Sequence, residues 1–157
     1  MKAIICDIDG VIANHDQRTH HLEGKKDYNK FYAEIPFDTP ILTTVELLQV
    51  FKETHFIILL TARPDTYFDT TVAWLETHKV PYDWIFMRQA GDYRPDYIVK
   101  REIFEHHLRE QWEITAVFED RTRCVEMWRA LGLACWQNVF WDEQKPDGWN
   151  EKESQNV

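Results

Sequence analysis

Acidic, hydroxyl and basic side chains recur where short apolar segments end. The first apolar segment runs into Asp7-Ile8-Asp9-Gly10, and later ones end in Thr61-Ala62-Arg63 and in Glu119-Asp120-Arg121. Lys100 lies in an amphipathic stretch between the last two. Carboxylates, a hydroxyl and cations brought together suit phosphoryl transfer, in which a protein supplies one nucleophile, positions the substrate and stabilises charge.

The two aspartates of the first motif would divide this chemistry. We predict Asp7 as the nucleophile and Asp9 as the acid that protonates the leaving oxygen and later the base that deprotonates water. A carboxylate attacking a phosphate dianion meets like-charge repulsion. We therefore expect Mg²⁺, held by Asp7, the backbone carbonyl of Asp9 and Asp120, with Lys100 as a second positive charge.

Thr61 would donate a hydrogen bond to a phosphoryl oxygen, and Gly10 would allow the tight turn that returns Asp9 to the site. Each motif also has a structural alternative. The Asp-x-Asp-Gly stretch could be a simple turn, Thr61 a helix cap, Glu119-Asp120 charges at a helix start and Lys100 a solvated helix residue. The order of the motifs along the chain favours the catalytic interpretation.

The elements that would position these residues alternate along the chain. This alternation is typical of βαβ units. It predicts a Rossmann-like three-layer α/β/α sandwich with a mainly parallel five-stranded sheet, which binds ligands beyond the carboxyl ends of its strands. Strands are predicted at 3–7, 55–61, 84–88, 115–119 and 133–137, and helices at 43–51, 66–78, 98–108 and 124–130.

One polar and aromatic stretch, at about 14–37, interrupts the alternation and predicts a small cap or flap. Its histidines, His15, His20 and His21, lack a convincing metal spacing, so we expect surface or substrate-loop roles for them. The predicted organisation is one domain over residues 1–141, which includes this flap, followed by a polar tail at 142–157.

The composition limits the classes of function. A net charge of −9 argues against a broad electrostatic grip on long nucleic acid, although it allows contact with a strand end. No apolar run reaches the roughly 18 residues needed to cross a bilayer, and no secretory cleavage pattern is present, so a cytoplasmic protein without membrane contact is expected. The three cysteines are predicted to be buried, inert thiols.

The stretch Asp7 to Val11, Thr61, Lys100 and Glu119-Asp120 together resemble the four motifs of the haloacid dehalogenase superfamily, in that family's order. The resemblance implies that superfamily's fold and, because Asp9 is the second aspartate carried by its phosphatases, hydrolysis of phosphate esters rather than dehalogenation. A narrower likeness covers most of the chain. The segments 89–94, 96–104, 119–129 and 135–137 look like the 3′-phosphatase domain of bacteriophage polynucleotide kinase/phosphatase.

This narrower resemblance implies further roles. Arg18 and Arg63 would contact substrate or phosphate, and Asp96 would orient Lys100 from one helical turn away. The chain departs from the family member in having Glu119 where that protein has aspartate. Whether Glu119 meets the metal directly or through water therefore stays open.

The resemblance implies removal of a 3′-phosphate from polynucleotide ends, of DNA or RNA, and an open site with only a small flap suits so large a substrate. Two alternatives stay open: a phosphatase of free nucleotides or other small phosphomonoesters, and a catalytically silent module that binds Mg²⁺ or phosphate. The chain lacks a G-x-x-x-x-G-K-[ST] loop, so a partner kinase or ligase would lie on another chain. For a phage-encoded protein the compartment would be the host cytoplasm.

Overall fold

The computed structural model describes residues 1–138, so the predicted polar tail at 142–157 lies outside the described residues. Five parallel strands form the central sheet: β1 (Lys2–Cys6), β4 (Phe56–Pro64), β5 (Trp84–Arg88), β6 (Glu113–Glu119) and β7 (Cys135–Gln137). Their order is β5-β4-β1-β6-β7. All five predicted strands are confirmed, with ends that differ from the prediction by at most three residues.

Four helices connect the strands of this sheet, as predicted. They are α2 (Leu42–Phe51), α3 (Phe68–Thr77), α4 (Asp96–Ile103) and α5 (Thr122–Ala130). The helix predicted at 98–108 extends beyond the end of α4. Its last five residues, Phe104–Leu108, form a π-helical turn. Parallel strands cannot be joined by tight turns, which is why a helical crossover separates each successive pair.

The sheet is buried on both faces. In β1, Ile4 and Cys6 point into one apolar cluster, whereas Ala3 and Ile5 point into the other, as the two-residue period of a strand requires. Helices α2 and α3 cover the first face, and α4 and α5 cover the second, where Trp128 is fully buried. The predicted three-layer α/β/α sandwich is confirmed.

The predicted flap is a short excursion closed by a two-stranded ribbon. β2 (Ala13–Asn14) pairs antiparallel with β3 (Thr39–Pro40), so the chain returns beside its point of departure. Between them lie α1 (Tyr28–Ala33) and the 3₁₀-helices Asp16–Leu22 and Ile35–Phe37. Ile35 is fully buried in the core, which attaches the flap to the domain.

Two expectations about composition can be compared with the described residues. Cys6, Cys124 and Cys135 are all free and buried, which confirms the predicted burial, and burial raises the pKa of each thiol, in agreement with the predicted lack of reactivity. Within residues 1–138, none of the helices has the length and apolar character that a bilayer crossing requires.

Candidate active site

The three central strands bring the predicted catalytic residues to one crevice. β1 lies between β4 and β6, and Cys6 at its end is level with Leu59 of β4 and Phe118 of β6. Adjacent strands are only about 4.8 Å apart. The residues that follow these three positions therefore lie close together, which places Asp7 beside Glu119.

Lys100 of α4 reaches into this crevice and pairs with two carboxylates. Its Nζ donates to Glu119 Oε2 at 2.7 Å and lies 3.0 Å from Asp7 Oδ2, and its side chain is only 1% exposed. Burial alone would lower the pKa of Lys100, but the charges of Asp7 and Glu119 outweigh it and raise that pKa well above its ordinary value. Lys100 is thus a buried cation, not a solvated helix residue.

This pairing differs from the partner predicted for Lys100. Asp96, one helical turn earlier, was expected to orient it. In the described residues the Asp96 carboxylate instead lies 3.4 Å from Nε of Arg121. Asp96 is at the partly exposed start of α4, whereas Lys100 is inside the crevice, where two buried carboxylates face it. In this structure Glu119 holds Lys100, and the orienting role of Asp96 stays a prediction.

Two carboxylate oxygens in the crevice fit a cation. Oδ1 of Asp7 and Oδ1 of Asp120 are buried and lack a hydrogen-bond partner within residues 1–138. Oxygens of Asp7, Glu119 and Asp120 also lie within 4.8 Å of one another. Buried unpaired carboxylate oxygens are costly, and a hard divalent cation would satisfy both.

The pKa shifts of these three acids agree with a cation site in the crevice. Burial raises the pKa of Asp7 to about 8, although Lys100 opposes the shift. Burial, together with the charges of Asp7 and Glu119, also raises the pKa of Asp120 well above its ordinary range. Glu119 differs, because Lys100 and the backbone N–H of Asp120 hold its pKa low despite burial. The protein alone therefore has too little positive charge for all three acids.

Asp9, the predicted acid/base, is held by two arginines. Arg63 donates from Nε to Oδ2 at 3.0 Å and from Nη2 to Oδ1 at 2.6 Å, and Arg18 donates from Nη2 to Oδ1 at 2.5 Å. Burial alone would raise the pKa of Asp9, but these guanidinium charges outweigh it and hold the pKa well below its ordinary value. The side chain of Asp9 remains 20% exposed.

A second aspartate, Asp38, completes this cluster, and sequence reasoning missed it. Its Oδ1 accepts from Arg18 Nε at 2.8 Å and from Gln17, and its Oδ2 accepts from Nη2 of Arg18 at 2.8 Å and of Arg63 at 3.1 Å. Its side chain is fully buried. Asp38 ends the flap just before β3, so the closing ribbon carries it back to the first motif.

Arg18 and Arg63 were predicted to contact substrate or phosphate, and the same hydrogen bonds pair both of them with carboxylates of the protein. Both side chains are 0% exposed, and both are occupied by Asp9 and Asp38. Arg18 also packs over the ring of Phe31, at 4.1 Å from its centroid. In this structure the two arginines orient Asp9, and direct contact with substrate stays a prediction.

Thr61 lies inside β4, near its carboxyl end, and does not cap a helix. Its Oγ1 accepts a hydrogen bond from the backbone N–H of Arg63 at 3.2 Å. Because the oxygen is the acceptor, the hydroxyl hydrogen remains available to donate. This orientation agrees with the predicted hydrogen bond to a phosphoryl oxygen, which stays a prediction.

Residues at the end of β7 fix the backbone around the crevice. Gln137 Nε2 donates to the carbonyl of Asp120 at 2.8 Å, and Asn138 Nδ2 donates to the carbonyl of Gly10 at 2.7 Å. Gly10 has a φ of 80°, which confirms that a tight turn follows Asp9. The turn at Gly10 and these two hydrogen bonds hold the first motif at the carboxyl end of the sheet.

Comparison with known proteins agrees with this geometry. Residues 1–140 match the family model described as the polynucleotide kinase PNKP phosphatase domain. A protein of Autographa californica nuclear polyhedrosis virus, named as a bifunctional polynucleotide kinase/RNA ligase, is 27% identical over 142 residues. That match covers 90% of this chain and 20% of the viral protein.

Solved structures show the same relationship. A chain of the Pnkp1/Rnl/Hen1 complex superposes with a TM-score of 0.77 at 31% identity, over 90% of this chain and 47% of that one. A haloacid dehalogenase-like hydrolase, SP0104 of Streptococcus pneumoniae, shares the fold, with a TM-score of 0.65 at 13% identity over 87% and 84% of the two chains. The chain spans less than half the length of the viral protein and of the Pnkp1/Rnl/Hen1 chain that it matches. It belongs to the family of PNKP-type phosphatase domains within the haloacid dehalogenase superfamily.

Proposed function

We propose that the chain is a Mg²⁺-dependent phosphatase that removes the 3′-phosphate from polynucleotide ends through an aspartyl-phosphate on Asp7. One observation carries the proposal: in a chain of the PNKP phosphatase family, Asp7 lies 3.0 Å from the buried Lys100 and, like Asp120, has a buried carboxylate oxygen without a partner in residues 1–138. A silent binding module would have no need for a lysine held against the nucleophile. The viral relative's name, which describes a polynucleotide kinase/RNA ligase, supports a nucleic-acid end as the substrate.

Mg²⁺ would be held by Asp7, Asp120 and the backbone carbonyl of Asp9. When bound, it would neutralise charge between the incoming phosphate and Asp7. Glu119 would act mainly through Lys100, which it holds at 2.7 Å. Lys100 would favour the ionised form of Asp7 and stabilise charge on the phosphoryl group, and Thr61 would donate to one of the phosphoryl oxygens.

Asp9 would carry the proton in both half-reactions. Its arginines favour the ionised form, which suits the second step, in which Asp9 takes a proton from water. In the first step it must donate a proton to the leaving 3′-oxygen. The arrival of a phosphate dianion would raise the pKa of Asp9 through like-charge repulsion, and would so make the protonated form accessible.

Arg121 is the cation that we expect to meet the substrate. It follows Asp120 directly, its side chain is 56% exposed, and Asp96 holds it at 3.4 Å. Lys100, Arg18 and Arg63 are all buried against carboxylates. A substrate phosphate that approaches from solvent would therefore first encounter Arg121.

Comparison of substrates tests this function. We expect Mg²⁺-dependent release of phosphate from a 3′-phosphorylated oligonucleotide, with none from its 5′-phosphorylated counterpart. Parallel assays with a 3′-phosphorylated mononucleotide give the specificity as a ratio of kcat/KM values. A strong preference for the mononucleotide would assign the chain to free nucleotides, and Mg²⁺ binding without hydrolysis of any ester would make it a silent module.

A further inference from the structure

A groove between the flap and the loop after β5 is basic, although the whole chain carries a net charge of −9. On the flap side its three lysines are all exposed to solvent. On the other side is a single exposed tyrosine of the 89–94 loop. The residues that matter for its chemistry are His20, Lys25, Lys26, Tyr28, Lys30 and Tyr93.

Two acids near this groove are already paired. Asp27 accepts from the backbone N–H of Lys30 at 3.1 Å, which caps α1, and its carboxylate also lies 3.4 Å from the Lys30 ammonium. On the opposite side, Asp92 is 2.7 Å from Nη2 of Arg94. By contrast, Lys25 and Lys26 take part in no ion pair within residues 1–138. The groove thus presents uncompensated positive charge to solvent.

Both walls of the groove are fixed to residues at the catalytic crevice. The 3₁₀-helix Asp16–Leu22 carries His20 in the groove and Arg18 against Asp9. The other wall is attached through Arg88. Its Nη1 donates to the carbonyls of Asp92 at 2.9 Å and Arg94 at 2.6 Å, and its Nε donates to that of Ala62 at 3.0 Å.

Ala62 lies between Thr61 and Arg63, so the loop that bears Tyr93 is attached to the strand end that forms the crevice. A chain of nucleotides that leaves the crevice on the β4–β5 side would therefore be directed toward this loop.

The exposed tyrosines add a second kind of contact. Tyr93 is 94% exposed and Tyr28 about half exposed, so both residues are accessible to a ligand, although the Tyr28 ring also stacks on Tyr32. Phe31 and Tyr32 differ: Phe31 is buried beneath Arg18, and Tyr32 packs against Tyr67 at 4.9 Å. Lysines beside open aromatic rings are the combination that binds single strands, because phosphates meet the cations and bases stack on the rings.

We propose that this groove holds the single-stranded nucleotides that precede the 3′-terminal phosphate, with phosphodiesters against Lys25 and Lys26 and a base stacked on Tyr93. The inference rests on the proposed function for the position of the terminal phosphate. It adds the path of the strand, and it explains how an acidic protein holds a nucleic-acid end: the positive charge is confined to one groove.

Charge-matched double variants test the groove. Lys25→Ala/Lys26→Ala should raise the KM for a 3′-phosphorylated oligonucleotide of about ten nucleotides by about tenfold, with kcat changed less than about twofold. The KM for a 3′-phosphorylated mononucleotide should not change. The control variant is Lys2→Ala/Lys79→Ala, which removes the same charge from exposed positions at the opposite edge of the sheet and should leave both KM values as in the wild type.

A binding assay separates this inference from the proposed function. Fluorescence anisotropy with an unphosphorylated oligonucleotide should show about tenfold weaker binding to the groove variant than to its control. Tyr93→Ala should weaken binding, and Tyr93→Phe should retain it, because the ring supplies the stacking. Equal binding by the groove and control variants would contradict the proposed role of the groove in strand binding, even if the chain is an active phosphatase. An enzyme that binds the oligonucleotide through the groove but never releases its 3′-phosphate would reject the proposed function alone.

Discussion

Arg63 holds both carboxylate oxygens of Asp9, with Nε 3.0 Å from Oδ2 and Nη2 2.6 Å from Oδ1. A planar guanidinium can make this bidentate contact, whereas a lysine ammonium cannot. The pair fixes the rotamer and the charge of the predicted acid/base. It also links β4 to the motif after β1, so the geometry at Asp9 depends on a residue 54 positions away in sequence.

Arg63→Lys should therefore impair catalysis more than substrate binding. We expect kcat to fall by about 100-fold, because a positioned acid/base contributes that much and its orientation would be lost. The pKa of Asp9 should rise, which moves the acidic limb of the pH–rate profile to higher pH. Steady-state kinetics across pH measure both effects. An unchanged profile with a raised KM would instead assign Arg63 to substrate contact.

Asp38→Asn should destabilise the fold as well as reduce activity. Asp38 is fully buried and accepts from both Arg18 and Arg63, so its loss leaves two buried guanidiniums with fewer partners. Breaking a buried pair in this way costs about 3–5 kcal/mol of unfolding free energy, which urea denaturation would measure.

The matched control for Asp38→Asn is Glu23→Gln, which makes the same chemical change at an exposed flap residue. Its unfolding free energy should stay within about 0.5 kcal/mol of the wild type. If the two variants were equally stable, the buried cluster would contribute nothing to holding the flap.

Asp96 and Arg121 should behave as one unit. Asp96→Ala and Arg121→Ala are each expected to raise KM by about tenfold with little change in kcat, because Arg121 is exposed at the crevice and Asp96 holds it. The double variant should resemble each single one, since the two substitutions remove one shared interaction. A large fall in kcat for Asp96→Ala alone would instead indicate that Asp96 orients Lys100.

Mg²⁺ should stabilise the protein more strongly as pH rises. Burial raises the pKa of Asp7 from 3.8 to about 8, so the metal-free fold retains a proton that the unfolded chain has released. The stability from this group is complete below about pH 4 and is lost as pH rises toward about 8. Bound Mg²⁺ favours the ionised form, so the increase in Tm on adding Mg²⁺ should grow between about pH 6 and about pH 8.

Asp120→Asn is the control for this pH dependence. It removes one of the two unpaired carboxylates, so the Mg²⁺-dependent increase in Tm should be small at every pH. Differential scanning calorimetry in excess Mg²⁺ and in chelator gives both curves. An increase in Tm that is the same at all pH values in the wild type would contradict a site formed by Asp7 and Asp120.

The site residues at the ends of the strands could be predicted from the sequence. Asp7, Thr61 and Asp120 follow apolar runs, and parallel strands deliver their carboxyl ends to one edge. The partner of Lys100 was not accessible in this way. The family resemblance, with which helical spacing agrees, indicated Asp96, whereas the structure pairs Lys100 with Glu119 of β6. Local spacing cannot report a contact that depends on how α4 packs against β6.

Asp38 was hidden for a different reason. It lies 20 residues from Arg18 and 25 from Arg63, at the end of an irregular segment without periodicity. Its role depends on the β2–β3 ribbon, which consists of two residues in each strand and leaves almost no pattern in the sequence. The nearest signal was its place at the end of the polar excursion, where a returning chain must pass close to the first motif.

The central claim is that Asp7 carries the phosphoryl group. The most direct measurement is mass spectrometry of enzyme quenched in acid during turnover of a 3′-phosphorylated oligonucleotide. A phosphoryl adduct should appear on the peptide that contains Asp7, should be converted by borohydride reduction to homoserine at that position, and should be absent from Asp7→Asn. Rapid turnover with an adduct on another residue, or undiminished phosphate release by Asp7→Asn, would contradict the account.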